Sequence, residues 1–149
     1  MDQLGMYRLM AHDRSTLKCL FPLQQHIGQI YKNRPMPIAV AIGGQPVIPI
    51  VSCVQIPPHV NEADVAGGIQ NAPIPLVRGE TVDPDIPASA EIVLEGEALP
   101  MSLWSKALSA STWGYEAGKS SPKPIMKINA ITYRNDPILT FSNMGMPVQ

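Results

Sequence analysis

Three side chains that lie far apart in this sequence are of types that do chemistry: Arg8, His26 and Glu62. A guanidinium is a planar, permanently charged fork that can bind a carboxylate bidentately. Imidazole and carboxylate groups are ligands for divalent cations. Each residue also has a plainer interpretation, because arginines are commonly solvated, single histidines are commonly structural or exposed, and the helix dipole favours an acid at a helix start. Both interpretations stay open at this point.

Short segments with regular apolar spacing carry these side chains. Apolar residues recur at helical spacing from Pro22 to Asn33, which places His26 near the start of a helix. Val60–Asn71 predicts a second helix with Asn61 as its N-cap and Glu62 in an acidic first turn. Strands are predicted at Met6–His12, Pro35–Gly44, Ile74–Glu80, Ala90–Glu97 and Ile125–Tyr133.

The composition favours a fold made of short elements. The chain of 149 residues has 16 prolines and 11 glycines, which interrupt helices and strands. Aromatic residues are only 5% of the chain, so the core must consist mainly of aliphatic residues, and isoleucine and valine favour strands. A small barrel or an α+β sandwich fits this pattern. In Ala90–Glu97, Glu91 and Glu95 alternate with apolar residues, which predicts a solvated face.

Charge and cysteine content narrow the range of partners. The formal charge is −1 and no run of lysine or arginine occurs, so neither nucleic acid nor an anionic membrane is an expected partner. The expected partners are small molecules or proteins. Cys19 and Cys53 are predicted to be reduced packing thiols, since they form no CxxC pair. Prolines and glycines break the apolar stretch Pro35–Val54, and no signal peptide is recognised, which predicts a cytoplasmic protein.

Six blocks of this sequence, in order, match a known family. They are GMYR (Gly5–Arg8), QHIGQI (Gln25–Ile30), PIAVAIGG (Pro37–Gly44), NEADVAGG (Asn61–Gly68), IPASAEIVLEGE (Ile86–Glu97) and NAITYRNDPIL (Asn129–Leu139). The chain resembles the UbiD family of prenylated-FMN-dependent decarboxylases, in particular the branch that acts on ferulic, cinnamic and phenolic acids. The blocks extend over almost the whole chain, so this resemblance is far more specific than any single short motif.

The resemblance implies a fold, a reaction and several bound groups. The implied fold is α+β and mainly β: a split β-barrel similar to the FMN-binding barrels of flavin reductases, with short helices. The implied reaction is non-oxidative decarboxylation of aromatic or α,β-unsaturated acids, with prenylated FMN, Mn²⁺ or another divalent metal, and K⁺. A homo-oligomer, or association with another UbiD-type chain, is expected. Residues 1–149 are expected to be a single central cofactor-binding domain, truncated at both ends.

The resemblance also implies roles for individual residues. The metal would be held by Gln3, His26 and Glu62, and Gln3 departs from the asparagine that is usual in the family. Arg8 would be the catalytic residue beside the reacting carboxylate. The cofactor contacts would come from Gln3, Leu4, Gly5, Met6, Tyr7, Arg8, Gln25, His26 and Glu62.

One part of the family pattern is missing. In the family, acidic residues in a segment of the form EGPFGE follow the EIVLEGE strand, and a glutamic acid protonates the product; here, residues 100–114 contain no Asp or Glu. If Ser105–Trp113 is encoded by suitable codons, translation of the same nucleotides in an adjacent reading frame gives EGPFGEYM. We therefore hypothesise that Pro100–Trp113 is an out-of-frame segment. The alternative to an impaired decarboxylase is a non-catalytic remnant or binding subunit that retains the barrel.

Overall fold

A computed structural model describes residues 4–20, 34–57, 59–99, 105–107 and 121–140. The predicted helix Pro22–Asn33 lies outside these residues. Within them, the bounds of the strands and helices are β1 Arg8–Ala11, β2 Thr16–Leu20, β3 Met36–Ile42, α1 Val47–Val51, α2 Glu62–Gln70, β4 Leu76–Arg78, β5 Asp85–Pro87, β6 Ile92–Ala98, β7 Ser105–Ala107, β8 Ser121–Lys123 and β9 Ile125–Tyr133.

Five antiparallel strands form the main sheet, in the order β1-β2-β9-β6-β3. The sheet is curled into a half-barrel, and the described helices are short. Two smaller sheets pair β4 with β5 and β7 with β8. This mostly β architecture confirms the fold class that was predicted from the sequence. No described helix is long and apolar enough to cross a membrane.

One face of the half-barrel holds the main core. Strand register places Leu17 opposite Met126, and Met126 opposite Ala98. These residues and Cys19 are buried, with Cys19, Ala98 and Met126 fully inaccessible to solvent. Because side chains alternate across a strand, the neighbouring residues point to the opposite face. The sheet therefore has apolar packing at its centre with few aromatic residues, as the composition predicted.

Two smaller clusters lie outside the main core. The helices α1 and α2 pack through a core of Val51, Ile56, Ala66 and Ile74. The β4–β5 hairpin packs on β6 through a third cluster that contains Ile86 and Val93. Strand β6 is therefore covered on both of its faces.

This double covering corrects one prediction. Glu95 was expected on a solvated face, but its exposed fraction is 1%, and the side chain of Glu91 is only 18% exposed. A β-bulge between β6 and β9 at Glu95 and Gly96 shifts the register, and the residues after β4 cover Glu95. The prediction that Cys53 is a packing thiol is also corrected, because this residue is exposed. Cys19 is buried as predicted, and both thiols are free.

Candidate functional site

Helix α2 positions Glu62. Asn61 precedes the helix in an extended conformation, and its side chain accepts a hydrogen bond of 2.8 Å from Ala63 N, which confirms the predicted N-cap. Glu62 is the first helical residue, where the positive end of the helix dipole favours a carboxylate. The local sequence thus explains both the start of the helix and the location of this acid.

The Glu62 carboxylate faces the protein rather than solvent, with an exposed fraction of 6%. Its Oε2 atom accepts a hydrogen bond from Leu4 N at 3.5 Å, although the two residues are 58 positions apart. A bond of this length is at the weak end of the range, and a buried carboxylate needs strong compensation. A cation beside Glu62 would supply that compensation, so the residue fits the metal-ligand role that the resemblance implies.

Residues 4–7, which we call the N-terminal arm, lie beside Glu62. Tyr7 is half-buried and packs against the main core of the half-barrel. Burial raises the pKa of Tyr7, and the nearby Glu62 charge raises the pKa further. Met6, which is 62% exposed, accepts a weak hydrogen bond at Sδ from the Cys53 thiol at 3.7 Å. The arm is therefore held between the half-barrel and the segments around the two helices.

Arg8 follows the arm directly as the first residue of β1, and its side chain is exposed. Its strand partner in the register is Leu20. Leu9 packs on the main core, so alternation along the strand directs Arg8 towards the opposite face. In the structure, Glu62 lies beside the arm residues Leu4 and Tyr7. Arg8 follows Tyr7 directly in the chain.

The other predicted ligands, Gln3, Gln25 and His26, lie outside the described residues. In the part of the chain that the structure describes, no group of three or more His, Cys, Asp and Glu side chains is arranged to hold a metal ion. The three-residue metal site is thus still a prediction, since two of its members are not among these residues.

A polar cavity of about 450 Å³ lies at another part of the molecule. Its lining includes Arg78, Asp83 and Glu97, and none of the predicted site residues contributes to it. Arg78 and Asp83 form an ion pair of 2.6 Å, and both side chains are mostly exposed. Sequence reasoning missed both this cavity and the contact of Cys53 with the arm, because no local spacing relates residues so far apart in the chain.

Comparison with known proteins identifies relatives of this chain. The UbiD family model, described as 3-octaprenyl-4-hydroxybenzoate carboxy-lyase Rift-related domain, matches residues 1–147. Pyrrole-2-carboxylic acid decarboxylase of Pseudomonas aeruginosa is 34% identical, and the match covers 98% of this chain and 30% of that protein. Phenolic acid decarboxylase of Bacillus subtilis is 30% identical, and the match covers 98% of this chain and 32% of that protein.

A solved structure has the same fold. An evolved dimeric form of the UbiD-class enzyme HmfF from Pelotomaculum thermopropionicum, in complex with prFMN, superposes with a TM-score of 0.82 at 29% identity. The match covers 91% of this chain and 32% of that one. This chain therefore spans about a third of the length of the relatives that it matches.

Proposed function

Since this chain belongs to the UbiD family, we propose that it is the cofactor-binding part of a non-oxidative decarboxylase of aromatic or α,β-unsaturated carboxylic acids. The observation that carries the proposal is the Glu62 carboxylate, which is 6% exposed and lies against the N-terminal arm. Residues 5–7 of the arm and residues 62–68 of the helix that bears Glu62 belong to blocks of the family pattern. The relatives named above are decarboxylases of carboxylic acids, in agreement with this proposal.

The proposed cofactor is prenylated FMN, with Mn²⁺ or another divalent ion and K⁺. When bound, prenylated FMN would supply an acceptor for the electrons left behind as carbon dioxide departs. Glu62, His26 and Gln3 would hold the divalent ion beside the cofactor phosphate through carboxylate, imidazole and amide groups. Gln3 offers the amide oxygen of the usual asparagine on a side chain that is one methylene longer, so we expect weaker metal binding than in family members with asparagine.

Arg8 would bind and orient the substrate carboxylate. A guanidinium can form two parallel hydrogen bonds with a carboxylate. Arg8 is exposed at the start of β1, directly after the arm. Lysine at this position would keep the charge but lose the bidentate geometry, so an Arg8→Lys variant should bind an unsaturated acid more weakly.

Protonation of the product is the step for which this chain lacks an evident group. A general acid must lie within hydrogen-bonding reach of the reacting carbon, and residues 100–114 contain no carboxylic acid. The second candidate function, a non-catalytic remnant or binding subunit, is favoured by this same observation. We propose that the out-of-frame hypothesis explains the loss, and the nucleotide sequence that encodes Pro100–Trp113 tests it: codons that yield no EGPFGE motif in an adjacent frame would exclude it.

Cofactor binding tests the main proposal. The chain is expressed with an enzyme that prenylates FMN, and the purified protein is assayed for flavin absorbance, bound Mn²⁺ and release of carbon dioxide from cinnamate. We expect flavin and Mn²⁺ in the parent protein and loss of both in Glu62→Gln, which has nearly the same shape without the charge. Asp64→Asn is the matched control, because Asp64 is an exposed acid in the same helical turn. A parent protein that binds neither group would refute the proposal.

The same experiment separates the two candidate functions. Bound flavin with carbon dioxide release supports the decarboxylase, whereas bound flavin without release supports the binding subunit.

We propose in addition that the protein is cytoplasmic, a location that suits its two free thiols. Association with further copies or with another UbiD-type chain would supply the parts that longer relatives contain, and light scattering of the purified protein measures it.

A further inference from the structure

The ring of Tyr7 packs over the backbone of the N-terminal arm. A Cβ atom placed on Gly5 would lie only 2.6 Å from both Cζ and Oη of Tyr7. Contacts this short do not occur between real atoms, so the observed ring position requires a residue without a side chain at position 5. Alanine at this position would push the ring away, because an aromatic side chain moves more easily than the backbone.

The same ring also contacts the core and lies near Glu62. Tyr7 packs against the cluster that includes Leu17 and Met126 in the main core of the half-barrel. Burial and, after it, the charge of Glu62 raise the pKa of its phenol. Leu4, on the other side of Gly5, donates its N–H to the Glu62 carboxylate. One aromatic ring therefore touches the arm and the half-barrel beside the candidate metal ligand.

We propose that Tyr7 is a positioning residue, whose ring, packed over Gly5, holds the N-terminal arm against Glu62. The inference rests on the proposed function for the identity of the metal but not for the position of the arm. Removal of the ring would free the arm from the half-barrel and weaken the contact of Leu4 with Glu62. Such partners of a metal ligand typically change metal affinity by about 10- to 100-fold when they are mutated.

Cys53 provides a readout of arm position that needs neither metal nor cofactor. Its thiol is exposed and contacts Met6 in the arm, so displacement of Met6 should increase access to it. Cys19, the other cysteine of the chain, is fully buried, and burial raises the pKa of its thiol to about 12. A thiol reagent such as dithionitrobenzoate should therefore report on Cys53 in the folded protein.

Four variants test the proposal. Tyr7→Ala and Gly5→Ala should each increase the reaction rate of Cys53, the first by loss of the ring and the second by its displacement. The double variant should react no faster than Tyr7→Ala alone, because no ring is left for the new methyl group to displace. Tyr7→Phe keeps the ring and should react like the parent protein.

Leu9→Ala is the matched control for stability. Leu9 packs against the same core cluster as Tyr7 but lies in β1, beyond the arm. Its truncation should reduce the free energy of unfolding without a change in the rate at Cys53 of the folded protein. Equal rates in the parent and Tyr7→Ala proteins, or additive effects of Gly5→Ala and Tyr7→Ala, would overturn the inference.

Metal affinity gives the second readout. Mn²⁺ titration followed by electron paramagnetic resonance should show binding about 10-fold or more weaker in Tyr7→Ala, and little change in Leu9→Ala. If the parent protein binds no Mn²⁺, the proposed function fails, and the Cys53 rates alone decide the role of Tyr7. If Mn²⁺ binds equally well to the parent and to Tyr7→Ala, the positioning role fails and the proposed function stands.

Discussion

The buried carboxylate of Glu95 is predicted to stabilise the fold by fixing the loop after β4. Its Oε1 atom accepts a hydrogen bond from Glu80 N at 3.1 Å, and Oε2 accepts from Thr81 N at 2.6 Å and Thr81 Oγ1 at 2.8 Å. All three of these groups are donors, a further backbone hydrogen bond comes from Val82, and Glu95 is 1% exposed. The change to test is Glu95→Gln, which retains the shape but replaces one acceptor oxygen with an NH₂ donor.

The cost follows from these bonds. If the amide oxygen keeps the two contacts to Thr81, the NH₂ group faces Glu80 N, so one bond is lost and two donors are brought together. A hydrogen bond to a charged group contributes about 1.5–3 kcal/mol, and the two retained bonds become weaker neutral ones. We therefore expect Glu95→Gln to lower the free energy of unfolding by about 3 kcal/mol at neutral pH.

The pH dependence has a definite sign. Burial by itself raises the pKa of Glu95, but the hydrogen bonds from Thr81, Glu80 and Val82 outweigh it, and the pKa lies below its ordinary value of 4.5. A lowered pKa in the folded state means that the stabilisation is present above the unfolded pKa and is lost as the pH falls through the folded pKa. The stability difference between the parent and Glu95→Gln should therefore be largest near pH 7 and shrink below about pH 4.5.

Urea unfolding followed by circular dichroism at pH 7 and pH 4 measures both effects. Glu97→Gln is the control, because Glu97 lies in the same strand but is exposed, so its replacement should change stability little. Hydrogen exchange should also become faster at the amides of Glu80 and Thr81 in Glu95→Gln. Equal stability of parent and variant at pH 7, or a difference that grows towards acid pH, would refute the reasoning.

Two further predictions concern local structure. Asn61→Ala removes the cap of α2 and should cost about 1 kcal/mol in urea unfolding, whereas Asn61→Asp, which retains a capping oxygen, should cost less; equal costs would argue against the cap. Gly96→Ala places a methyl group against the Lys127 backbone across the β-bulge, and we expect the free energy of unfolding to fall by about 1–3 kcal/mol. The control Gly68→Ala should be tolerated, because the space around Gly68 is open. An unchanged melting temperature for Gly96→Ala would contradict the observed bulge.

Local patterns were sufficient for several elements of the fold. The apolar run Ile125–Tyr133 is a strand with the predicted bounds, and Asn61 caps the predicted helix. The strand Met36–Ile42 ends at Gly43 and Gly44, whose φ angles of 75° and 110° are those that glycine adopts readily. In each case the deciding interactions lie within a few residues of one another, so the sequence order carries the information.

Other elements were beyond sequence reasoning. Val47–Val51 is a helix despite the proline at position 49, and the packing of Val51 with Ala66 of α2 stabilises it. The strand Thr16–Leu20 alternates in polarity over only its first four residues, too few for a strand to be predicted, and even Lys18 is buried in it. Tertiary packing overrode the local preference in both segments, as often occurs in short elements.

Family membership and the types of the candidate site residues were readable from the sequence, because the order of the motif blocks is a property of the chain alone. Tertiary structure decided which of these residues meet: Leu4 with Glu62, Met6 with Cys53, and the loop after β4 with Glu95. These contacts join residues between 14 and 58 positions apart. They depend on the curl of the sheet and on the covering of β6 from both sides, which no local spacing encodes.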